Sequence, residues 1–254
     1  NSRWLAREQD AYNYMNSTCV EIKVVGASNM WVTAPYFNCP QGLLDVMEKI
    51  ANGAMPEPAT FAAFNDLVRD ELATVVTESA RQLDHIWHQR ADTGCFPLAS
   101  CFIDDCLAKG MDFDRGGARY NWVENSFVGL ANLVDGLIAV KRLVYDSEEI
   151  SIGEFRELLR NDFEGQEPLR LRILNRLPSY GNGDAEADAL AAEWAEILED
   201  TTESHVVGLH TYVPGFFCWV MHERLGAKTG ATPDGRKAGT ALADGAGAAQ
   251  GRER

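Results

Sequence analysis

The sequence predicts an α/β fold, either as one domain or as a piece of one, on three observations. The chain has 254 residues, of which 46% are hydrophobic, so it can bury a sizeable core. Segments with the apolar spacing of amphipathic helices alternate with short β-branched segments. No internal repeat or low-complexity linker divides the chain. This pattern excludes disordered and fibrous classes.

The charge balance of the chain limits its partners. Lys and Arg number 23 against 38 Asp and Glu, which gives a formal net charge of -15. Such a charge argues against nucleic acid or an anionic membrane as a partner. No apolar run approaches the roughly 18 residues that a membrane-spanning helix needs, and the N-terminus has no signal-peptide pattern. We therefore expect a cytoplasmic protein that does not contact a membrane.

The pattern of the first quarter of the sequence predicts two helices and two extended segments. Residues 18–25 are β-branched and roughly alternate between apolar and polar, and Gly26 ends this predicted strand. Four apolar residues after position 42 share one face of a short helix that Gly53 closes. The predicted segments are a helix over 4–16, the strand over 18–25, an extended segment over 30–37 and the short helix.

The rest of the sequence is mainly helical in pattern. Helical spacing of apolar residues runs from Phe61 to Gly94, and again over 127–145. Ser151 and Glu154 fit a capping box at the start of another helix. The later predictions are a helix over 184–200, a strand over 205–212, a helix over 214–225 and an irregular tail with a turn over 232–236.

The six cysteines have neither the CxxC pairs of zinc sites nor the density of a secreted disulfide scaffold. We therefore expect reduced thiols and no metal site. The signatures GxSxG, GxxxxGK[ST] and HExxH are also absent, which removes serine-hydrolase, phosphate-loop and zinc-protease readings.

Cys19-Val20-Glu21 is the local pattern with most chemical content. Residues two apart on a strand share a face, roughly 6 to 7 Å apart, so a thiol and a carboxyl would face one space. A polar pocket would accommodate both, because burying an unpaired carboxylate is costly. The alternative is that Glu21 reaches solvent or forms a salt bridge with Lys23 or an arginine. A neighbouring carboxylate also opposes thiolate formation, so a nucleophilic cysteine is disfavoured.

Five motifs in order resemble the glycyl radical enzymes related to pyruvate formate-lyase, over nearly the whole chain. One motif alone would be weak, whereas five in the order of the family are specific. The motifs are Cys19-Val20-Glu21, Gly116-Gly117-Ala118-Arg119-Tyr120-Asn121, Gly129-Leu130-Ala131-Asn132-Leu133-Val134-Asp135, Tyr180-Gly181-Asn182 and Ala231-Thr232-Pro233-Asp234-Gly235-Arg236-Lys237-Ala238-Gly239.

The resemblance implies part of a ten-stranded α/β barrel with outer helices. By this match, residues 1–254 form a C-terminal half-barrel portion, and the N-terminal half is missing. The radical loop of the family, Arg-Val-x-Gly-Tyr/Phe, does not occur in these residues. We therefore expect an internal fragment that neither holds a radical nor turns over substrate alone.

The resemblance also implies a chemistry. A glycyl radical on the missing C-terminal segment would convert Cys19 into a thiyl radical that abstracts hydrogen from the substrate. Glu21 would exchange protons with a substrate hydroxyl, help that is typically worth about 10²- to 10⁴-fold in rate. A radical S-adenosylmethionine iron–sulfur activase would install the radical, and relatives commonly form homodimers. The implied activity is dehydration of a small polyol or hydroxylated substrate.

Further residues are candidates for substrate binding. Trp31, Val32 and Tyr36 match pocket-lining positions of related lyases, with ordinary strand packing as the alternative. Glu124 would be a second carboxyl if its strand lines the barrel, although a glutamate facing solvent is the more common case. His210 lies on the late predicted strand. It has the same two alternatives, a place in the pocket or, more commonly, none.

The resemblance leaves several activities open. A decarboxylase or another C–C or C–N lyase on the same scaffold is the first alternative. Formate C-acetyltransferase activity is less favoured, because pyruvate-cleaving members carry two adjacent cysteines and this chain has Val20. Thr18 stands where the family commonly has glycine, which leaves the subfamily open. A non-catalytic relative that acts as a binding or scaffold protein is the alternative from another class.

Overall fold

The computed structural model of the protein describes residues 5–17, 21–29, 35–203 and 210–252. The chain divides into two compact units, each assembled from three separate stretches. Unit 1 comprises Asn1–Pro35, Val76–Asn125 and Glu199–Gly215, and unit 2 comprises Tyr36–Val75, Ser126–Leu198 and Phe216–Arg254. The candidate residues Cys19, Trp31 and Val32 lie outside the described residues.

Helices and short strands alternate along the described chain, as the sequence predicts. The strands are β1 (Tyr14–Ser17), β2 (Glu21–Val24), β3 (Tyr36–Asn38), β4 (Trp122–Val128) and β5 (Thr211–Gly215). The helices are α1 (Cys39–Ala51), α2 (Phe61–Thr93), α3 (Pro97–Ser100), α4 (Cys106–Lys109), α5 (Leu130–Val140), α6 (Ile152–Arg160), α7 (Glu167–Arg176), α8 (Ala185–Glu203) and α9 (Met221–Gly226). None of the described helices has both the length and the apolar character needed to cross a membrane.

Unit 1 begins with an antiparallel hairpin of β1 and β2, in which Ser17 pairs with Glu21. Gly26, with φ of +69°, turns the chain after β2, and Ser28 then forms a parallel bridge with Tyr120 just before β4. The Thr211 amide donates to the Asn121 carbonyl at 2.8 Å. These contacts place the segment before β4 between Ser28 and the start of β5.

The core of unit 1 lies where β4 and β5 meet the second half of α2. Val123 and Tyr212 are buried against Ala80 and Trp87 of the helix, with Leu83 packed beside them. The Tyr212 hydroxyl also donates to the Ala80 carbonyl at 3.3 Å. The helix therefore covers one face of this strand pair.

Unit 2 is built around α5, in which every residue from Leu130 to Val140 is buried. Helix α1 packs against α5 and α6. A Cβ at Gly136 would lie 2.9 Å from Leu43, so the absence of a side chain there permits close approach of α1 and α5. Strand β3 pairs in parallel with the end of β4, from Tyr36 opposite Ser126 to Asn38 opposite Val128.

Most predicted helices are confirmed within a few residues. The long helix from Phe61 is α2, the predicted helix over 184–200 is α8, and the Ser151–Glu154 capping box is formed at the start of α6. The buried apolar face predicted near the N-terminus is that of α1, and Gly53 follows it with φ of +75°.

Three predicted boundaries are wrong. The predicted helix over 4–16 is instead a 3₁₀-helix over Glu8–Tyr12 followed by β1, because pairing with β2 satisfies its backbone. The predicted helix over 127–145 begins only at Leu130, since Gly129 has φ of +82° and separates it from β4. The predicted helix over 214–225 is reduced to α9, because β5 extends to Gly215 and Trp219 has φ of +47°, which a helix does not allow.

Candidate active site

Of the predicted catalytic pair, the structure describes only Glu21, which lies in the β1–β2 hairpin of unit 1. Glu21 is the first residue of β2 and pairs with Ser17 across the hairpin. The described part of the chain stops at residue 17 and resumes at residue 21, so Cys19 falls outside it. The prediction that Cys19 and Glu21 share a face stays a prediction.

An ionic cluster holds the segment before β4, within the predicted motif around Tyr120. The Tyr120 hydroxyl donates to Asp10 Oδ2 at 2.6 Å and accepts from the Ala6 amide at 2.9 Å. Arg119 Nη1 lies 3.3 Å from the same Asp10 oxygen. The motif therefore ties the N-terminal segment to the start of β4.

Arg119 also forms ion pairs with two further carboxylates of unit 1. Its Nη2 lies 2.9 Å from Asp104 and 3.0 Å from Asp105, and its side chain is only 8% exposed. The hydrogen bond from Arg119 holds the pKa of Asp105 below its usual range. The guanidinium thus stays charged among three acids and fixes the position from which β4 departs.

Glu124 projects from β4 toward β5. A Cβ built on Gly215 would lie 2.2 Å from Glu124 Oε1 and 2.8 Å from its Cγ. The Glu124 side chain occupies the space that a side chain at position 215 would need. A glycine at this position is therefore required for the observed packing. Glu124 is half-buried rather than fully exposed to solvent.

His210 lies directly before β5 and is buried against α2. Its ring stacks on Trp87 with centroids 4.3 Å apart. Burial lowers the pKa of His210 to about 4, and Arg90, His88 and Lys23 lower it further against an opposing contribution from Asp84. The imidazole is therefore neutral at pH 7.

Glu124 and His210 lie on opposite faces of the β4–β5 pair. Neighbouring strand residues point to opposite faces, and Val123 and Tyr212 lie on the face covered by α2. His210 stacks on Trp87 on that covered face, whereas Glu124 alternates with Val123 and faces the other side. The structure therefore does not bring these two candidates into one chamber.

Tyr36 belongs to unit 2, where it starts β3. It is half-buried and packs against a cluster formed by Val128, Cys218 and Leu242. The next residue, Phe37, points to the opposite face and stacks on Phe127 with ring centroids 5.3 Å apart. Within this unit, Tyr36 therefore lies on an apolar surface.

The model of the family described as pyruvate formate lyase-like matches residues 4–219. The chain belongs to this family. It is 32% identical over 269 residues to the probable dehydratase YbiW of Escherichia coli (strain K12), a match that covers 96% of the chain and 33% of that protein. The resemblance to glycyl radical enzymes that the five motifs predict is confirmed.

Solved structures agree with this assignment. The glycerol-bound form of the B12-independent glycerol dehydratase from Clostridium butyricum is similar with a TM-score of 0.91 and 28% identity, covering 98% of the chain and 33% of that protein. A structure concerning 1,2-propanediol dehydration in Roseburia inulinivorans gives a TM-score of 0.87 and 30% identity, covering 95% of the chain and 32% of that protein. The chain spans about a third of the length of these proteins, so the α/β fold is part of the barrel of the pyruvate formate lyase-like family.

A buried polar network connects two of the family motifs in unit 2. Asn132 Nδ2 donates to Asp234 at 2.8 Å, and its Oδ1 accepts from the Ala243 amide at 2.7 Å. The Asp234 carbonyl accepts from Arg252 at 3.0 Å. The segment that the sequence predicts as an irregular tail is therefore packed into the core.

Sequence reasoning missed one convergence of reactive side chains. Cys218, His222 and Asp244 of unit 2 come together, although no predicted motif contains them. The only sequence signal was the spacing of four residues between Cys218 and His222, which places two side chains on one side of a helical turn. Asp244 lies 22 residues further along, so its approach depends on the tertiary fold.

Proposed function

We propose that the chain is part of a glycyl radical lyase that dehydrates a small polyol or another hydroxylated substrate. The observation that carries the proposal is its similarity over 98% of its length to a glycerol dehydratase, at a TM-score of 0.91. The similarity to the probable dehydratase supports the same reaction class. In this proposal residues 1–254 are a C-terminal half-barrel portion of a longer protein.

Cys19 is the proposed hydrogen-abstracting residue. As a thiyl radical it would take a hydrogen atom from a substrate carbon, so that an S–H bond forms as a C–H bond breaks. Because the two bonds are similar in strength, the thiol can return the hydrogen to the product radical. A neutral thiol suits this cycle better than a thiolate, in agreement with a carboxyl two residues away.

Glu21 is the proposed proton-transfer residue. Loss of a hydroxyl as water requires one added proton, and the remaining hydroxyl must lose a proton to become a carbonyl. A single carboxyl group can do both, since it accepts one proton and then donates it. Its backbone begins β2 and pairs with Ser17, and in the sequence it stands two residues after Cys19.

Glu124 is the proposed second carboxyl of the chamber. It lies on the face of β4 opposite to the one covered by α2, where Gly215 leaves room for it. Trp31, Val32 and Tyr36 are proposed to line the substrate pocket. His210 lies on the face covered by α2, so we assign it the positioning of β5 rather than contact with substrate.

The proposal implies a radical and partners outside the described residues. A glycyl radical would supply the oxidising equivalent that forms the thiyl group. A radical S-adenosylmethionine iron–sulfur activase would install it, and the longer protein would form a homodimer. The same protein would take a small-molecule substrate.

The test uses the full-length enzyme, activated without oxygen and supplied with glycerol or 1,2-propanediol. Cys19→Ser and Glu21→Gln should each keep the glycyl radical signal in electron paramagnetic resonance spectra and lose turnover. For Glu21→Gln we expect a loss of about 10²- to 10⁴-fold, the usual value of general acid–base help. Glu8→Gln, an exposed change in the same unit, is the matched control and should leave turnover unchanged.

Unchanged turnover in Glu21→Gln would remove this residue from the mechanism. Absence of diol consumption in the wild-type enzyme, with the radical present, would overturn the dehydratase proposal. Carbon dioxide release from a carboxylic acid, lost in Glu124→Gln, would instead favour a decarboxylase.

A further inference from the structure

A compact cluster in unit 2 combines three side chains of different chemistry. Cys218 Sγ lies 2.6 Å from Asp244 Oδ1 and 3.5 Å from His222 Nδ1. His222 Nδ1 lies 3.9 Å from the same Asp244 oxygen. All three ligand atoms thus lie within 4.8 Å of one another.

We propose that Cys218, His222 and Asp244 form a binding site for a divalent transition metal ion such as Zn²⁺. Thiolate, imidazole and carboxylate are the ligands that Zn²⁺ takes in proteins. Three protein ligands leave a fourth tetrahedral position for water or another small ligand. The site lies outside the proposed catalytic residues.

The distances are close to those of a tetrahedral site. With metal–ligand bonds of about 2.3 Å to sulfur and about 2.0 to 2.1 Å to nitrogen and oxygen, sulfur and nitrogen should lie about 3.6 Å apart. The Cys218–His222 distance of 3.5 Å already fits. The Asp244 oxygen needs to move away from sulfur by about 1 Å, to reach the same spacing of about 3.6 Å.

The burial of the three groups favours such a movement. Cys218 is 1% exposed, whereas the Asp244 side chain is 60% exposed and can turn in solvent. The His222 side chain is 15% exposed. Sulfur and nitrogen are therefore held by packing, and the exposed carboxylate lies on the side from which an ion would enter.

The backbone near Cys218 also suits a metal-bound thiolate. The Gly245 amide points at Cys218 Sγ at 3.4 Å, and such donors stabilise charge on a ligand sulfur. Trp219, the next residue, has φ of +47°, a strained conformation for a bulky residue. This turn places the thiol and the imidazole four residues away on one side.

A hydrolytic cysteine centre fits the same residues less well. In a cysteine–histidine–aspartate relay the acid binds the ring nitrogen that does not face the sulfur. Here Nδ1 faces both Cys218 and Asp244. Burial and the hydrogen bond to Asp244 raise the pKa of Cys218 to about 11, so the thiol is protonated without a metal. As an ion binds, the S–H bond breaks, the metal–sulfur bond forms and the proton passes to solvent.

The test is an anaerobic titration of the reduced, metal-free protein with Co²⁺, which takes the tetrahedral sites of Zn²⁺ and absorbs light. We expect a thiolate-to-cobalt charge-transfer band that saturates at one equivalent, with release of a proton, and that Zn²⁺ abolishes. Cys218→Ser should lose the band, and His222→Gln and Asp244→Asn should weaken binding by about 10-fold or more. Cys95→Ser, at an exposed free cysteine, is the matched control and should keep the band.

The proposal is overturned if the wild-type protein gives no charge-transfer band, or if the band persists in Cys218→Ser. If Cys218→Ser does not fold, His222→Gln decides, because the His222 side chain is less buried than Cys218. Unchanged Co²⁺ affinity in a folded His222→Gln protein would equally overturn the site.

Discussion

Burial lowers the pKa of His210 more than any neighbouring group does, although Asp84, Arg90 and Lys23 lie near it. Loss of solvation is the largest contribution to its lowered pKa, and the nearby acid Asp84 only partly opposes it. Stacking on Trp87 at 4.3 Å holds the ring in the apolar layer between β5 and α2. A protonated imidazole at this position would place a charge in that layer, at a cost in stability.

The stability of the protein should therefore fall as the pH falls from 6.5 to 4. In this range the unfolded chain binds a proton at His210 and the folded chain does not, so folding is disfavoured by up to about 3 kcal/mol. Urea unfolding at a series of pH values measures this slope. His210→Phe, which keeps an aromatic ring on Trp87, should flatten it.

His85→Gln is the control for that experiment, since His85 is exposed on the same helix α2. Its variant should keep the slope of the wild-type protein. A His210→Phe protein with an unaltered slope would assign the pH dependence to other groups.

Strand β5 is matched to β4 at one position where a methyl group would not fit. The Glu124 side chain takes the space beside Gly215, so the two strands and the glutamate form one packing arrangement. This packing depends on the strand register, which places Gly215 beside Glu124. It is therefore a property of the strand pair rather than of either residue alone.

Gly215→Ala should destabilise the protein by about 1 to 3 kcal/mol, the usual cost of overpacking. In a Glu124→Ala background, Gly215→Ala should lower the free energy of unfolding by less, with a difference of about 0.5 kcal/mol or more, because the side chain that it overlaps is gone. Thermal or urea unfolding of the four proteins gives this coupling. Gly153→Ala in α6 is the control, since a Cβ there meets nothing within 4 Å.

Equal costs of Gly215→Ala in both backgrounds would contradict the packing of Glu124 against β5. The Gly153→Ala control should be neutral or slightly stabilising, because alanine favours helix more than glycine does.

The sequence predicts those elements whose stability is local. Apolar periodicity locates α1, α2 and α8, and the capping residues locate α6. It fails where distant pairing decides, as at β1, whose residues read as helix until β2 is placed beside them. The short α9 is a second case, because β5 takes the first residues of the predicted helix and Trp219, with φ of +47°, interrupts the rest.

For the candidate site as well, the sequence predicts the local features and not those that depend on tertiary contacts. Family motifs place Cys19 and Glu21 in order, and the polarity of Glu124 marks it as a candidate. Neither pattern shows that Glu124 and His210 lie on opposite faces, since this depends on which face α2 covers. The meeting of Cys218 with Asp244 likewise depends on the fold.

At the scale of the whole molecule, each of the two units draws on three separated stretches of the chain. Residues from the beginning, the middle and the later part of the sequence are thus needed for unit 1. The chain also spans about a third of the length of the relatives that it matches. We therefore propose that these residues do not turn over substrate alone.

The 254-residue protein should accordingly give no glycyl radical signal when incubated with a radical S-adenosylmethionine activase without oxygen. The residues contain no radical loop of the family pattern, so none of their glycines stands in the sequence context that the activase would oxidise. Electron paramagnetic resonance spectroscopy, with the full-length enzyme as positive control, measures this. A radical signal on the short protein would contradict the assignment of these residues within the barrel.

The buried loop after Gly230 has a consequence for the motions of unit 2. Its composition of glycine, threonine and aspartate is typical of surface segments, yet Thr232 is fully buried and its amide donates to the Arg236 carbonyl at 3.1 Å. Amide hydrogens held in this way exchange with deuterated solvent only when the surrounding structure opens. This loop, without regular secondary structure, should therefore take up deuterium as slowly as the buried helix α5, to which the Asn132–Asp234 hydrogen bond joins it.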